Sequence, residues 1–493
     1  MPKTELCKLY IDGKWVESSN RKTFSTINPS TEQIICKVSE GTIEDARSAI
    51  DSAEDAYQKW SDVPAPKRGE ILLKVSQLLR AEKERLAKLV ATEMGKVLSE
   101  SRGDIQEAID TFEYFAGEGR RLYGHTTPSE LRDKFAMTIR MPLGVVSLIT
   151  PWNFPIAIPA WKLAPALICG NGIVFKPSSD TPLCAAELVK VLIKAGVPEG
   201  VVNFVPGSGS VVGKEIVKNK KVRGISFTGH KDTGEWILRE AGIKKVGLEM
   251  GGKNGIIILP DADMNLALEG CIWGGFGTTG QRCTAASRVI IDEKIQKTFE
   301  KHFVEKAKKL KLGPGYDVKT HVGPLINKPA LEKVTKYTEI GKNEGAKLLT
   351  GGRKAKDKGF FYEPTIFTNV STDMRIAQEE IFGPTVSIIS VDGLDEAIEA
   401  MNSIEYGLSS SIYTKDIRNA FKAIAKIETG ITYVNSSTIG AEVHLPFGGM
   451  KQTGNGTREA GMEGIHEFSE TKTVYIDYSG RLQKAQIDVV KVD

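Results

Sequence analysis

The sequence predicts an α/β protein with two parallel-sheet domains that meet near Gly251 and Gly252, plus a small separate β element. Two series of short β-branched runs alternate with helical stretches, the rhythm of βαβ units whose sheets are covered on both faces. A long segment of purely helical period precedes the first series. At 493 residues the chain also exceeds what a single core supports.

MPKTELCKLYIDGKWVESS is charged throughout and lacks an apolar h-region, so no signal peptide is expected. From Thr42 to Gly119 apolar residues recur at helical spacing, and the pattern places acids and bases on the opposite, solvated face. After a polar break near His125, KFAMTIRMPLGVVSLIT reads as strand. The first series is GVVSLIT, GIVFKPS, VVNFVPG, VRGISFTG and KKVGLEMGG, with helices such as LCAAELVKVLIKAG and TGEWILREAG between them. The second is NGIIILP, RVIIDE, PTIFTNV, PTVSIISV, LSSSIYT and GITYVN. KTVYIDYSGRLQKAQIDVV ends the chain as a strand-like tail that neither series needs.

Composition excludes several function classes. A net charge of +4 on 66 basic and 62 acidic residues, without a basic tract, gives no footprint for nucleic acid. No apolar run approaches the roughly 18 residues that span a bilayer. Six scattered cysteines, with no CxxC pair, fit a reducing cytoplasm. The six histidines have no metal-ligand spacing, and no metal is expected.

Two glycine-rich stretches hold the chemistry. LEMGGKNG places Glu249 at a strand end, and GGFGTTGQRCTAAS places Cys283 in a loop before the next strand. A lone cysteine is usually a small buried hydrophobe, and an acid at a strand end is usually solvated. Glycines permit close approach of a ligand, however. A thiolate attacks carbonyls and leaves well from a thioester, and a carboxylate beside it can activate the water that cleaves that thioester. In PWNFP, Asn153 lies in a rigid turn, where its amide either caps backbone or donates to a developing oxyanion.

Across essentially its whole length the chain resembles the NAD(P)-dependent aldehyde dehydrogenases. PWNFP, VFKPSSDTP, FTGHKDTG, LEMGGKN, GQRC, EEIFGP and PFGGMKQTG occur in that family's order and spacing. The resemblance implies the aldehyde dehydrogenase fold: a Rossmann-like cofactor domain (1–121 and 143–251), a catalytic domain (252–453), and a bridging oligomerisation element (122–142 and 472–493). It implies that Cys283 attacks the aldehyde, that Asn153 and the Cys283 N–H hold the oxyanion, and that Glu249 activates the hydrolytic water. It further implies cofactor contacts at Thr150, Pro151, Trp152, Lys176, Ser179, Phe227, Thr228, Gly229, Glu380 and Phe382, and at Gly209 and Gly213 of the turn that starts at Gly207. That GxGxxxG turn departs from the dinucleotide fingerprint, but the family binds its cofactor differently from standard Rossmann enzymes.

Two positions depart from the family. His230 stands where Ser is common. Ser179 stands where NAD-preferring members often carry Glu, so NADP is expected to be accepted and preferred, with NAD as the alternative. The motifs are most similar to those of α-ketoglutaric semialdehyde (2,5-dioxopentanoate) dehydrogenases. Related members take succinic or aminoadipic semialdehyde, glyceraldehyde or lactaldehyde. Trp161, Arg282 and Phe447 are the candidate substrate residues, with Arg282 a partner for an acidic tail. A non-catalytic protein of this fold would tolerate loss of Cys283 or Glu249, and a CoA-acylating enzyme typically lacks the acid, so both are disfavoured. A cysteine hydrolase needs a histidine partner, and none lies next to Cys283 in sequence. Finally, the resemblance implies that the bridging strands pair with a neighbouring chain, giving a dimer or a dimer of dimers.

Overall fold

The computed structural model describes residues 6–487. The helical-period segment forms three helices, Ile43–Asp62, Ala65–Glu93 and Leu98–Glu118. The Thr42 hydroxyl accepts from the Asp45 N–H while the Asp45 carboxylate accepts from the Thr42 N–H, a reciprocal cap that starts the first helix. Leu72, Leu79, Ile105, Phe112 and Phe115 from this segment enter one core with Leu163 and Leu167 of the helix Ala157–Ile168.

Not every charge here faces solvent, contrary to the pattern reading. Glu93, Lys96, Glu100 and Asp104 are buried. Each acid has work inside: Glu93 accepts from the N–H groups of Leu183 and Cys184, which open the helix Pro182–Ala195.

Two seven-stranded sheets follow. The first runs Lys245–Glu249, Val222–Thr228, Val145–Ile149, Gly172–Lys176 and Val202–Phe204, then an N-terminal hairpin of Leu9–Ile11 and Lys14–Val16. Its first five strands are parallel and the hairpin is antiparallel. The hairpin strands are three residues each, too short for alternation to stand out in sequence. Strand order reverses between Val145–Ile149 and Val222–Thr228. A crevice opens at the carboxyl ends of strands at such a reversal, the usual ligand position in open α/β sheets.

The second sheet runs Lys347–Thr350, Thr365–Thr368, Thr385–Val391, Ala286–Asp292, Asn254–Ile258, Ser409–Tyr413 and Ile431–Val434. Only the edge strand Lys347–Thr350 is antiparallel. Strands such as NGIII are buried on both faces, which is why they read as continuous apolar runs.

A third, three-stranded antiparallel sheet joins Ser469–Asp477, Lys134–Pro142 and Thr126–Pro128. KFAMTIRMPLGVVSLIT forms two strands in two sheets, broken at Gly144 with φ +116°. One detail differs from the sequence reading. The C-terminal strand begins at Ser469, ahead of Lys472, and residues 478–487 add no strand; residues 488–493 lie outside the described residues. Before that strand the chain returns to the first sheet. Gly454 pairs with Glu249, and Ile465 and Phe468 join the first core. Among the described residues no helix is long and apolar enough to cross a membrane.

Candidate active site

The strand Val145–Ile149 leads into the PWNFP turn, which feeds the helix Ala157–Ile168. Asn153 is buried there, and one amide N–H donates to the Gln281 carbonyl at 3.1 Å. Its Oδ1 has no protein partner. Gln281 is a buried strut: its side chain donates to the carbonyls of Thr278 and Pro324 and accepts from the Ile326 N–H.

Cys283 follows this strut in the loop before the strand Ala286–Asp292. Asn254 fixes it from the other side, donating to the carbonyls of Cys283 (2.7 Å) and Ala285 (3.0 Å). Upstream, Thr278 and Thr279 take left-handed backbone at φ +49° and +60°. The Glu100 carboxylate accepts from the Thr278 N–H and hydroxyl and holds that turn. Burial pushes the Cys283 thiol up to about 12, with the charges of Glu249 and Glu380 adding to it.

Glu249 ends the strand Lys245–Glu249, and neither carboxylate oxygen has a protein partner. Burial, then the nearby Glu459, raises its carboxyl well above the usual range, while Lys162 pulls the other way. Lys162 donates to the Ser226 hydroxyl at 2.8 Å and pairs with Glu459. The glycines after Glu249 answer a packing need. A Cβ at Gly251 would sit 2.4 Å from both carboxylate oxygens of Glu380, which also accepts the Gly252 N–H at 2.9 Å.

Three cavities adjoin in series here, each sharing lining residues with the next. One of about 140 Å³ is lined by Trp161, Glu249, Arg282, Cys283, Phe447 and Glu107 among others. A second, of about 230 Å³, shares Cys283 and adds Asn153, Glu380 and Phe382. A third, of about 360 Å³, shares Pro151, Trp152, Thr228 and Gly229 with the second. It also takes in Thr150, Lys176, Ser179, Gly209, Gly213 and Phe227, at the strand-order reversal of the first sheet. Every candidate residue named from sequence therefore lies on this one channel, with Gly207 beside it as acceptor for the Ser179 hydroxyl at 3.5 Å.

Some local roles were not expected. The His230 ring accepts the Asp232 N–H and caps the helix Lys231–Ala241, the task a serine could do at that position. Arg282 is partly engaged: Nε donates to the Thr278 hydroxyl at 2.8 Å, and the guanidinium lies over Trp273 (4.8 Å) and Phe154 (5.3 Å). Trp161 packs edge-on against Phe447 with centroids 4.9 Å apart, and its indole N–H has no partner. Sequence reasoning missed Glu107, Glu459 and Lys162. Of these only Lys162 leaves a trace, as a single charge in the apolar run AIPAWKLAPALI.

Fold and site together define an enzyme that brings a half-buried thiol and a buried acid to the inner end of a cleft at the strand-order reversal. The chain belongs to the aldehyde dehydrogenase family, whose model matches residues 15–474. It is 42% identical over 468 residues to a 2,5-dioxopentanoate dehydrogenase of Saccharolobus solfataricus, covering 94% of this chain and 98% of that one. It is also 42% identical, over 480 residues, to a betaine aldehyde dehydrogenase of Bacillus subtilis, covering 95% and 96%. The crystal structure of a Staphylococcus aureus betaine aldehyde dehydrogenase in complex with NAD+ superposes with a TM-score of 0.94 at 37% identity, covering 96% of this chain and 95% of that one. The protein is thus an NAD(P)-dependent oxidoreductase acting on the aldehyde group.

Proposed function

We propose that the protein oxidises an acidic semialdehyde to its carboxylate, with α-ketoglutaric semialdehyde the best substrate and 2-oxoglutarate the product. The observation that carries this reading is that two cavities share Cys283, with Arg282 in the wall of the smaller, while the larger of the two opens into the cleft lined by Lys176 and Ser179. Similarity to the S. solfataricus enzyme supports the choice of aldehyde.

In this reading Cys283 adds to the aldehyde carbon, and the oxyanion takes the second amide N–H of Asn153 and the Cys283 backbone N–H. A bound nicotinamide supplies the hydride acceptor. Glu249 then removes a proton from water, and the hydroxide cleaves the Cys283 thioester. The cleft fits such a cofactor: Thr150 and Thr228 present buried hydroxyls without partners, and a Cβ at Gly209 would meet nothing within 4 Å. Lys176 and Ser179 would hold the adenosine ribose, and Glu380 the nicotinamide ribose with Phe382 packed beside it. NADP is the preferred form in this reading, because Ser179 carries no charge to repel a 2′-phosphate.

A panel of semialdehydes assayed with NADP and NAD by reduced-nicotinamide absorbance tests both choices. Glyceraldehyde or an unbranched alkanal clearly outperforming the acidic semialdehydes would overturn the substrate. In Ser179→Glu the ratio of NADP to NAD efficiency is expected to fall about tenfold, a modest effect because Ser179 sits exposed at the cleft rim. An unchanged ratio would show that Ser179 does not face the ribose.

We also propose that the protein assembles as a dimer or dimer of dimers through the three-stranded sheet. Ser469–Asp477 is the longer of that sheet's two edge strands, and Tyr475 and Ile476 are exposed on it. Deleting residues from Lys472 onward should give monomer or aggregate with little activity. An active monomer by light scattering would show the tail dispensable.

A further inference from the structure

The helix Leu98–Glu118 turns three acids toward the site at spacings of four and three, so they share one face. Two are fully used. Glu100 holds the Thr278 turn, and Asp104 accepts the Ala157 N–H at 2.7 Å while pairing with Lys96 at 2.9 Å. Glu107 is different: among the described residues its carboxylate makes no hydrogen bond or ion pair, and it lines the same small cavity as Arg282 and Cys283. Arg282 spends only Nε on a hydrogen bond, so its terminal N–H groups are available to a ligand, with Glu100 at 3.7 Å behind them.

We propose that Glu107 selects the charge of the substrate's tail: protonated, it donates a hydrogen bond to the distal carboxylate that Arg282 attracts, and ionised, it repels that carboxylate. This rests on the acidic-semialdehyde reading above and names the residue that makes it conditional on pH. Burial, then the neighbouring Asp104, pushes the Glu107 carboxyl up to about 7; Lys96 and Arg282 oppose the rise and Asp110 adds to it. Glu249 and Glu459, the latter paired with Lys162, also face this cavity. The sign follows. Below about pH 7 Glu107 is neutral in the free protein and an anionic aldehyde binds beside it. As pH rises through 7 the carboxylate forms, and binding that aldehyde then requires uptake of a proton.

The test compares kcat/KM between pH 6 and 9 for succinic semialdehyde (anionic), propanal (neutral) and betaine aldehyde (cationic). Dividing by the propanal value cancels the titrations of Cys283 and Glu249, which act on every aldehyde. The anionic-to-neutral ratio is expected to fall about tenfold per pH unit well above 7, and to stay flat in Glu107→Gln, which keeps a donor and cannot ionise. A ratio independent of pH, or an equal fall in Glu107→Gln, would overturn the role of Glu107 while leaving the substrate reading intact. A preference for betaine aldehyde that vanishes in Glu107→Gln would also overturn it, by showing an ionised acid holding a cation. Failure of both proteins to oxidise any anionic aldehyde would sink the substrate reading and this inference together.

Discussion

Replacing Cys283 with Ala is expected to lower aldehyde oxidation by on the order of 10⁴-fold or more, while Glu249→Gln loses only the second half of the reaction. Without the thiol no covalent intermediate forms, and no other described cysteine lines the cavities that meet at this point. Without the acid, acylation proceeds and one reduced cofactor per site appears as a burst. Steady turnover then falls about 10²- to 10⁴-fold, because only thioester hydrolysis needs the base. The pH profile separates the two steps. The Glu249 carboxyl is raised by burial and by Glu459, so the fraction able to accept a proton grows as pH rises through that raised value. The steady-state rate should therefore climb with pH in the wild type, and this limb should be absent from Glu249→Gln. Rapid-mixing absorbance measures both. Steady turnover in Cys283→Ala, or a missing burst in Glu249→Gln, would sink the assignment of roles.

The legible part of this site is the part that sits at strand ends. Asn153 and Cys283 lie in loops punctuated by Pro or Gly beside β-branched runs, and Glu249 ends a strand just before Gly251 and Gly252, so position and chemistry can be read together. The βαβ rhythm similarly placed the parallel strands, whose two-sided burial leaves unbroken apolar runs. The acids of Leu98–Glu118 were not legible. On an amphipathic helix a buried acid and a solvated one look alike, and what draws Glu100 and Asp104 inward is backbone N–H groups 178 and 53 residues away. Such partners exist only after folding, and periodicity carries no trace of them. Lys162 and Glu459 meet across 297 residues in the same way. The short hairpin at Leu9–Val16 escaped for a local reason: three residues per strand hold too little alternation to register.

The nucleophile loop offers the second large effect, in Gly280→Ala. Gly280 has φ +67° and continues the left-handed run of Thr278 and Thr279. A Cβ there would lie 2.2 Å from the Gly383 carbonyl oxygen, which is backbone and cannot swing aside. Left-handed alanine costs about 1–2 kcal/mol before any clash, so the loop must move. Gln281, the next residue, carries the carbonyl that holds Asn153, and Cys283 lies two residues beyond it. A shift of about 1 Å between nucleophile and oxyanion donor is enough for roughly a 10²-fold loss of kcat. Lost stability alone cannot mimic this if a matched control is measured. Ile290→Val removes one methyl group from the core of the second sheet, away from the channel, at about 0.5–1.5 kcal/mol. Both variants should lower Tm, and only Gly280→Ala should lower kcat in the fraction that remains folded. Equal kcat in the two would show that turnover does not depend on the geometry of this turn.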